Sequence, residues 1–250
     1  MKSHFIENKL KELALETDKM KKSVFFQEYL ATMSKFWKYS YYNQLLIHFN
    51  MPKATRVAGL KAWQKLGRKV KKGSKALQIR APVKVKDSED VIRFIPVNVF
   101  DISQTTGEPL PDLDITLEGD NYTGLKHSLL EFCKSKNIEV EFKKLGVNGL
   151  YGYSKGGKVV VASNGSVNTQ VNTLIHEIAH ELLHHKGEKL TDQQKEIQAE
   201  STAYVVCKHF GLETKSYNYL ALYDADYAGI MSNLKMVAEA SREVIGFCFS

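Results

Sequence analysis

Cysteine is scarce in this 250-residue chain: Cys133, Cys207 and Cys248 stand far apart, and none belongs to a CxxC pair. An odd, scattered set builds neither a disulfide framework nor a thiolate zinc ribbon, so a reducing, cytoplasmic setting is expected. Missing too is any apolar run near the roughly 18 residues of a membrane span. The opening MKSHFIENKLKEL carries charge where a signal peptide needs an apolar stretch. The expectation is a protein that is neither exported nor embedded in a membrane. Internal repeats and low-complexity tracts are also lacking. With 43% apolar and 25% charged residues, the composition excludes collagen, coiled-coil and disordered classes and fits one or two globular domains.

Acid is absent from one long stretch. Between Lys53 and Lys86 there are twelve Lys or Arg and no Asp or Glu. The net charge of +7 is accordingly uneven: residues 1–111 hold 21 basic against 10 acidic side chains, residues 112–250 hold 14 against 18. Such asymmetry points to nucleic acid or another polyanion as partner of the first part.

Apolar residues at three- and four-residue steps predict helix from Phe5 to Phe49, ended by Met51-Pro52. After a short basic helix at Leu60 to Leu66, KALQIRAPVKVK alternates with Leu77, Ile79, Ala81, Val83 and Val85 on one face. VIRFIPVNVF follows as a second strand, whose Pro96 calls for an edge or a bulge. Residues 103–121 have the composition of a connection. Beyond them come a helix near Leu125, the strand IEVEF, a hairpin turning at Gly156-Gly157, helices at about 168–186 and 192–210, and a helical C-terminal segment. The expected class is α+β: residues 1–111 as helices with a β-hairpin, 112–121 as linker, and 122–250 as a domain with a small antiparallel sheet.

The sharpest chemical signal is His176-Glu177-Ile178-Ala179-His180, an HExxH, which sets two imidazoles one helical turn apart to share an ion, Zn²⁺ being expected. Val171, Leu174, Ile175, Ile178 and Leu182 form the buried stripe of that helix. Glu177, beside a ligand and not itself one, is the expected catalytic base. His184 lies roughly 12 Å further along the axis from His176 and is expected to face solvent with no metal role. The third ligand is expected from Glu196 or Glu200, four residues apart on the next helix, the other carboxylate orienting a histidine. The run Glu200-Ser201-Thr202-Ala203-Tyr204 resembles the ligand helix of gluzincin metallopeptidases, which favours Glu200. Tyr217, Tyr219, Tyr223 and Tyr227 are candidates for stabilising an oxyanion.

For the basic part, phosphate is the natural counter-ion. Arg56, Lys61, Arg68, Lys69, Lys71, Lys72 and Lys75 are the candidate contacts, with Trp37, Tyr39 and Tyr42 as rings on which unpaired bases would stack. The stretches YSYYNQLLI, ATRVAGLKAWQKLGRKVKKGSKALQIRAP and PVNVFDISQTTGEPLP resemble the N-terminal domain of ArdC-type antirestriction proteins. TLIHEIAHELLHH with EIQAESTAYVV is similar to the zincin-like metallopeptidase domain that follows it there. The resemblance runs from about Tyr39 onward. It implies single-stranded DNA binding, carriage on mobile elements and protection of incoming DNA from host restriction. It places metal roles on His176, His180 and a glutamate of the EIQAE run, catalysis on Glu177 and DNA contact around Arg68 to Lys75. A host protein is then the expected substrate. A masking protein that coats DNA, with a structural or regulatory zinc, is the alternative expectation.

Overall fold

A computed structural model of the chain describes residues 2–16, 19–84, 92–108, 122–146, 150–184, 190–214 and 226–249. Three helices come first: α1 (Lys2–Leu15), α2 (Lys19–Lys35) and α3 (Tyr41–Asn50). The pattern of apolar residues predicts uninterrupted helix here, but the helix breaks between α2 and α3. Ser40 is extended and its hydroxyl accepts the Asn43 N–H at 3.3 Å, which starts a new helix. Gln44 Nε2 donates to the carbonyls of Phe36 and Tyr39, both at 3.1 Å, and so satisfies the broken turn.

Next come β1 (Val57–Ala58), α4 (Leu60–Lys65), β2 (Arg68–Val70), β3 (Leu77–Lys84), β4 (Ile92–Asp101) and, after one 3-10 turn, β5 (Thr105–Gly107). They form a β1-β4-β3 sheet and a separate β2-β5 pair. Pro96 stands in the middle strand without breaking a ladder. Opposite it, Arg80 turns its N–H and C=O away from β4 to the Asn43 side chain, both at 2.8 Å. The nitrogen of Pro96 therefore also faces outward, and β1 covers only Phe100 and Asp101. The expected connection at 103–121 begins with order, since β5 pairs with β2. The expected linker 112–121 lies outside the described residues.

The second half holds α5 (Tyr122–Ser135), β6 (Glu139–Lys143), β7 (Gly152–Ser154), β8 (Lys158–Ala162), α6 (Val167–Leu183), α7 (Asp192–His209) and α8 (Tyr227–Cys248). Its sheet is mixed, a correction to the antiparallel expectation. The order is β6-β8-β7, with β6 parallel and β7 antiparallel to β8. The hairpin at Gly156 and Gly157, both at positive φ, sends the chain back in the direction of β6. Val159, Val160 and Val161 are all buried, as a central strand requires. Ser166 caps α6, and a Thr191–Gln194 capping box starts α7.

One apolar cluster joins Ile6, Leu10, Phe26, Tyr29, Leu30 and Leu45 of the first helices to Leu129, Leu174, Ile178, Val205 and Ile245 of the second half. A smaller cluster, including Phe36, Ile47, Leu77, Ile79 and Val99, lies under the β3–β4 sheet. Among the described residues no helix is long and apolar enough to cross a membrane.

Candidate metal centre

Helix α6 turns different chemistry in different directions. Val171, Leu174, Ile175 and Ile178 are fully buried, as the amphipathic pattern predicts. Glu177 and Glu181 look to the β7–β8 hairpin. The Glu181 carboxylate accepts the N–H groups of Gly156 at 2.9 Å and Gly157 at 2.6 Å. Gly152 lies so close to the helix that a β-carbon on it would stand 3.2 Å from Glu177 Oε1. His176 and His180 look to α7. Ala179 packs with Ala199 in an apolar group that lets the two helices approach closely.

The two Nε2 atoms of His176 and His180 are 3.0 Å apart. Glu196 closes the triangle, with Oε2 3.4 Å from His176 Nε2 and Oε1 3.3 Å from His180 Nε2. One ligand atom from each of the three residues lies within 4.8 Å of the other two, so these donors can converge on one tetrahedral ion and leave its fourth position open. Two imidazoles and a carboxylate are also the donor types that a catalytic Zn²⁺ takes. Hydrogen bonds with His176 and His180 hold the Glu196 carboxyl well below the usual carboxylate range. Burial presses the His176 pKa down, but the hydrogen bond to Glu196 and the charges of Glu177, Glu196 and Glu200 carry it above the ordinary value. Glu177 is 6% exposed; burial raises its pKa against the pull of both histidines.

The preference for Glu200 read from the sequence is a correction: of the two glutamates, the structure brings Glu196 to the histidines. Glu200 stands one turn further along α7, half-buried, and its charge reaches His176. His184 is a correction, since it does not simply face solvent. It is the C-cap of α6, its Nδ1 3.0 Å from His180 Nδ1 and its Nε2 3.1 Å from Gln198 Oε1. The four-residue step from His180 was its sequence signal. Tyr217, Tyr219 and Tyr223 lie outside the described residues. Tyr227 stands beside α1, with Lys11 Nζ 5.8 Å from its ring centre.

The residues expected to meet nucleic acid divide into two groups. Lys61, Lys69, Lys71, Lys72 and Lys75 are exposed and Arg56 is half-exposed. Arg68 is a correction: it is buried, donating to Thr105 Oγ1 at 2.9 Å, to the Gly107 carbonyl at 3.2 Å and to the Glu108 carbonyl, and so it clamps β2 to β5. The proposed stacking rings are engaged as well. Trp37 stacks on Phe249 at 6.0 Å, the Tyr39 hydroxyl donates to the Val57 carbonyl at 3.1 Å, and Tyr42 packs on the larger core. Exposed apolar surface lies instead on the outer part of the β3–β4 ribbon, where Phe94 is 62% and Ile92 59% exposed. Phe94 pairs with Pro82 on the face opposite Leu77 and Ile79, together with Arg80. Its signal was parity, since it falls out of step with the apolar alternation.

Residues 6–109 match the family model described as the N-terminal domain of anti-restriction factor ArdC, and residues 133–245 match the IrrE N-terminal-like domain of the peptidase M78 family. The chain is 26% identical over 233 residues to an uncharacterized protein of Bacillus anthracis, covering 73% of this chain and 40% of that protein. It thus spans about two fifths of the length of the curated relative it matches. The fold is similar to crystal structures of the antirestriction ArdC protein from the R388 plasmid. The metal-free form gives a TM-score of 0.51 at 16% identity, covering 84% of this chain and 85% of that one. The Mn(II)-bound form gives 0.51 at 14% identity, covering 88% and 94%.

Proposed function

Because the chain belongs to the ArdC-type proteins, joining an ArdC N-terminal domain to an IrrE N-terminal-like domain, we propose that it is an antirestriction protein. In this reading it binds single-stranded DNA with its N-terminal half and hydrolyses a host protein at a Zn²⁺ centre, acting in the cytoplasm to shield incoming mobile-element DNA. The observation that carries the hydrolytic reading is the convergence of His176, His180 and Glu196 beside the buried carboxylate of Glu177.

His176, His180 and Glu196 would hold the ion. A divalent ion so held supplies a Lewis acid and lowers the pKa of a water at its open position. Glu177 takes the proton of the attacking water on its carboxylate and passes it to the departing amine. Burial, which keeps its pKa raised, suits a base that must also act as an acid near neutral pH. Strand β7 is one of the two edges of its sheet among the described residues. An extended peptide added to that edge would run beside Gly152 and hence beside Glu177.

On the other half, Lys61, Lys69, Lys71, Lys72 and Lys75 offer charge to phosphates, and Phe94 offers an open ring to unpaired bases. The decisive variant is Glu177→Gln, assayed for metal content, proteolysis and protection of incoming DNA. Retained metal with both activities lost supports the reading. Retained metal with full protection means that hydrolysis is not the protective step, and DNA masking takes its place.

A further inference from the structure

Helix α6 grips the β7–β8 hairpin at two places one helical turn apart. Glu177 meets β7 at Gly152, and Glu181, four residues on, meets the turn. Each oxygen of the Glu181 carboxylate accepts one N–H, from Gly156 at 2.9 Å and from Gly157 at 2.6 Å. Both glycines are at positive φ, 61° and 91°, a backbone path that brings successive N–H groups to bear on one carboxylate. The hairpin does not need this contact to close. The Lys155 N–H donates to the Lys158 carbonyl at 2.8 Å, the Gly157 carbonyl accepts the Glu139 N–H of β6 at 2.8 Å, and the valines of β8 are buried. What Glu181 adds is the placement of a finished hairpin on the metal-bearing helix.

Spacing makes that placement specific. From Glu177 to Glu181 the helix rises about 6 Å, and from Gly152 to Ser154 an extended strand advances about 7 Å. The two contacts are thus set to hold β7 beside α6 from the first residue of the strand to the turn that follows it. We infer that Glu181 is a positioning residue for the peptide: by tying the turn to α6 it fixes the line along which the β7 edge, and a chain added to it, passes the metal centre. The inference rests on the hydrolytic reading, in which an extended peptide joins that edge. Glu181 acts through the backbone of the hairpin and takes no part in the chemistry, so its loss falls on substrate binding. Such a loss raises KM and spares kcat.

The test uses the full zinc-loaded chain, with β-casein, an unfolded protein, as the substrate probe and with amide hydrogen exchange at Gly156 and Gly157 read by NMR. Glu181 is half-exposed, so its replacement leaves the core intact. Glu181→Ala should speed exchange at both glycines and raise KM several-fold, with kcat and Zn²⁺ affinity near those of wild type. Glu181→Gln keeps one oxygen to accept an N–H and should fall between the two. A lowered melting temperature with KM unchanged would make Glu181 a structural tie alone and overturn the inference. Unaltered exchange at both glycines, or a loss confined to kcat, would overturn it as well. Wild type that binds Zn²⁺ but never cleaves β-casein overturns the hydrolytic reading and carries the inference down with it, whereas cleavage by wild type with the same KM in Glu181→Ala overturns the inference alone.

Discussion

Gly152 and Glu177 touch across the seam between β7 and α6: a β-carbon on the glycine would lie 3.2 Å from the Glu177 carboxylate, 2.5 Å from Thr173 Cγ2 and 2.8 Å from the Val160 carbonyl. The backbone there needs no special φ, so the demand for glycine is purely steric. Gly152→Ala must push the strand off the helix or swing the carboxylate aside. Overpacking of this kind costs about 1–3 kcal/mol. The variant should melt at lower temperature and lose proteolysis beyond what its stability loss explains, while keeping its metal. Wild-type melting and turnover would show that β7 does not confine Glu177.

Acid should loosen the packing of α2 against α3. His48 is 3% exposed, its Nδ1 2.9 Å from Thr32 Oγ1, among the rings of Phe25, Tyr29 and Phe49. Burial lowers its pKa to about 4 from 6.5. The native state thus keeps His48 neutral while the unfolded chain takes up a proton. Its contribution is complete above pH 6.5, declines as pH falls, and is gone below about pH 4. The shift corresponds to at most about 3 kcal/mol. His209, half-buried with its Nδ1 2.8 Å from the Ser34 carbonyl and also lowered in pKa by desolvation, acts in the same direction. Urea unfolding at pH 7 and pH 4.5 should show a smaller loss for His48→Phe than for wild type; equal losses would exclude His48 as a source of acid sensitivity.

The open ring on the β3–β4 ribbon predicts a separation of stacking from charge. Phe94→Ala should weaken binding of a single-stranded oligonucleotide by about 1–3 kcal/mol, the worth of one stacked base, with little change in salt dependence. Phe94→Trp should retain affinity. Replacing Lys71, Lys72 and Lys75 by Gln should instead flatten the salt dependence, by about 0.7 in slope for each phosphate no longer neutralised. Fluorescence anisotropy across a salt series reads both. An unaltered affinity in Phe94→Ala, with wild type binding well, removes the ribbon from the interface.

Local spacing was legible where a single helix decides the geometry. His176 and His180 come together because four residues make about one turn, and Glu177 falls on the adjoining face for the same reason. The choice between Glu196 and Glu200 was not legible, because both share one face of α7. What selects Glu196 is the axial register of α7 against α6, a long-range outcome that no local motif carries. Arg68 and the rings of Trp37 and Tyr39 show the same limit. Their chemistry reads as nucleic-acid contact, but burial against β5, Phe249 and Val57 is a long-range outcome that composition does not carry. The helix break at Ser40 depended on a cap hydrogen bond amid continuous apolar periodicity.

Calorimetric titration of Zn²⁺ into the metal-free chain tests the metal centre most directly. One ion per chain should bind to wild type, at least tenfold more weakly to Glu196→Gln, and nearly as tightly to Glu200→Gln as to wild type. Full affinity in Glu196→Gln, or its loss only in Glu200→Gln, would contradict a centre built on His176, His180 and Glu196.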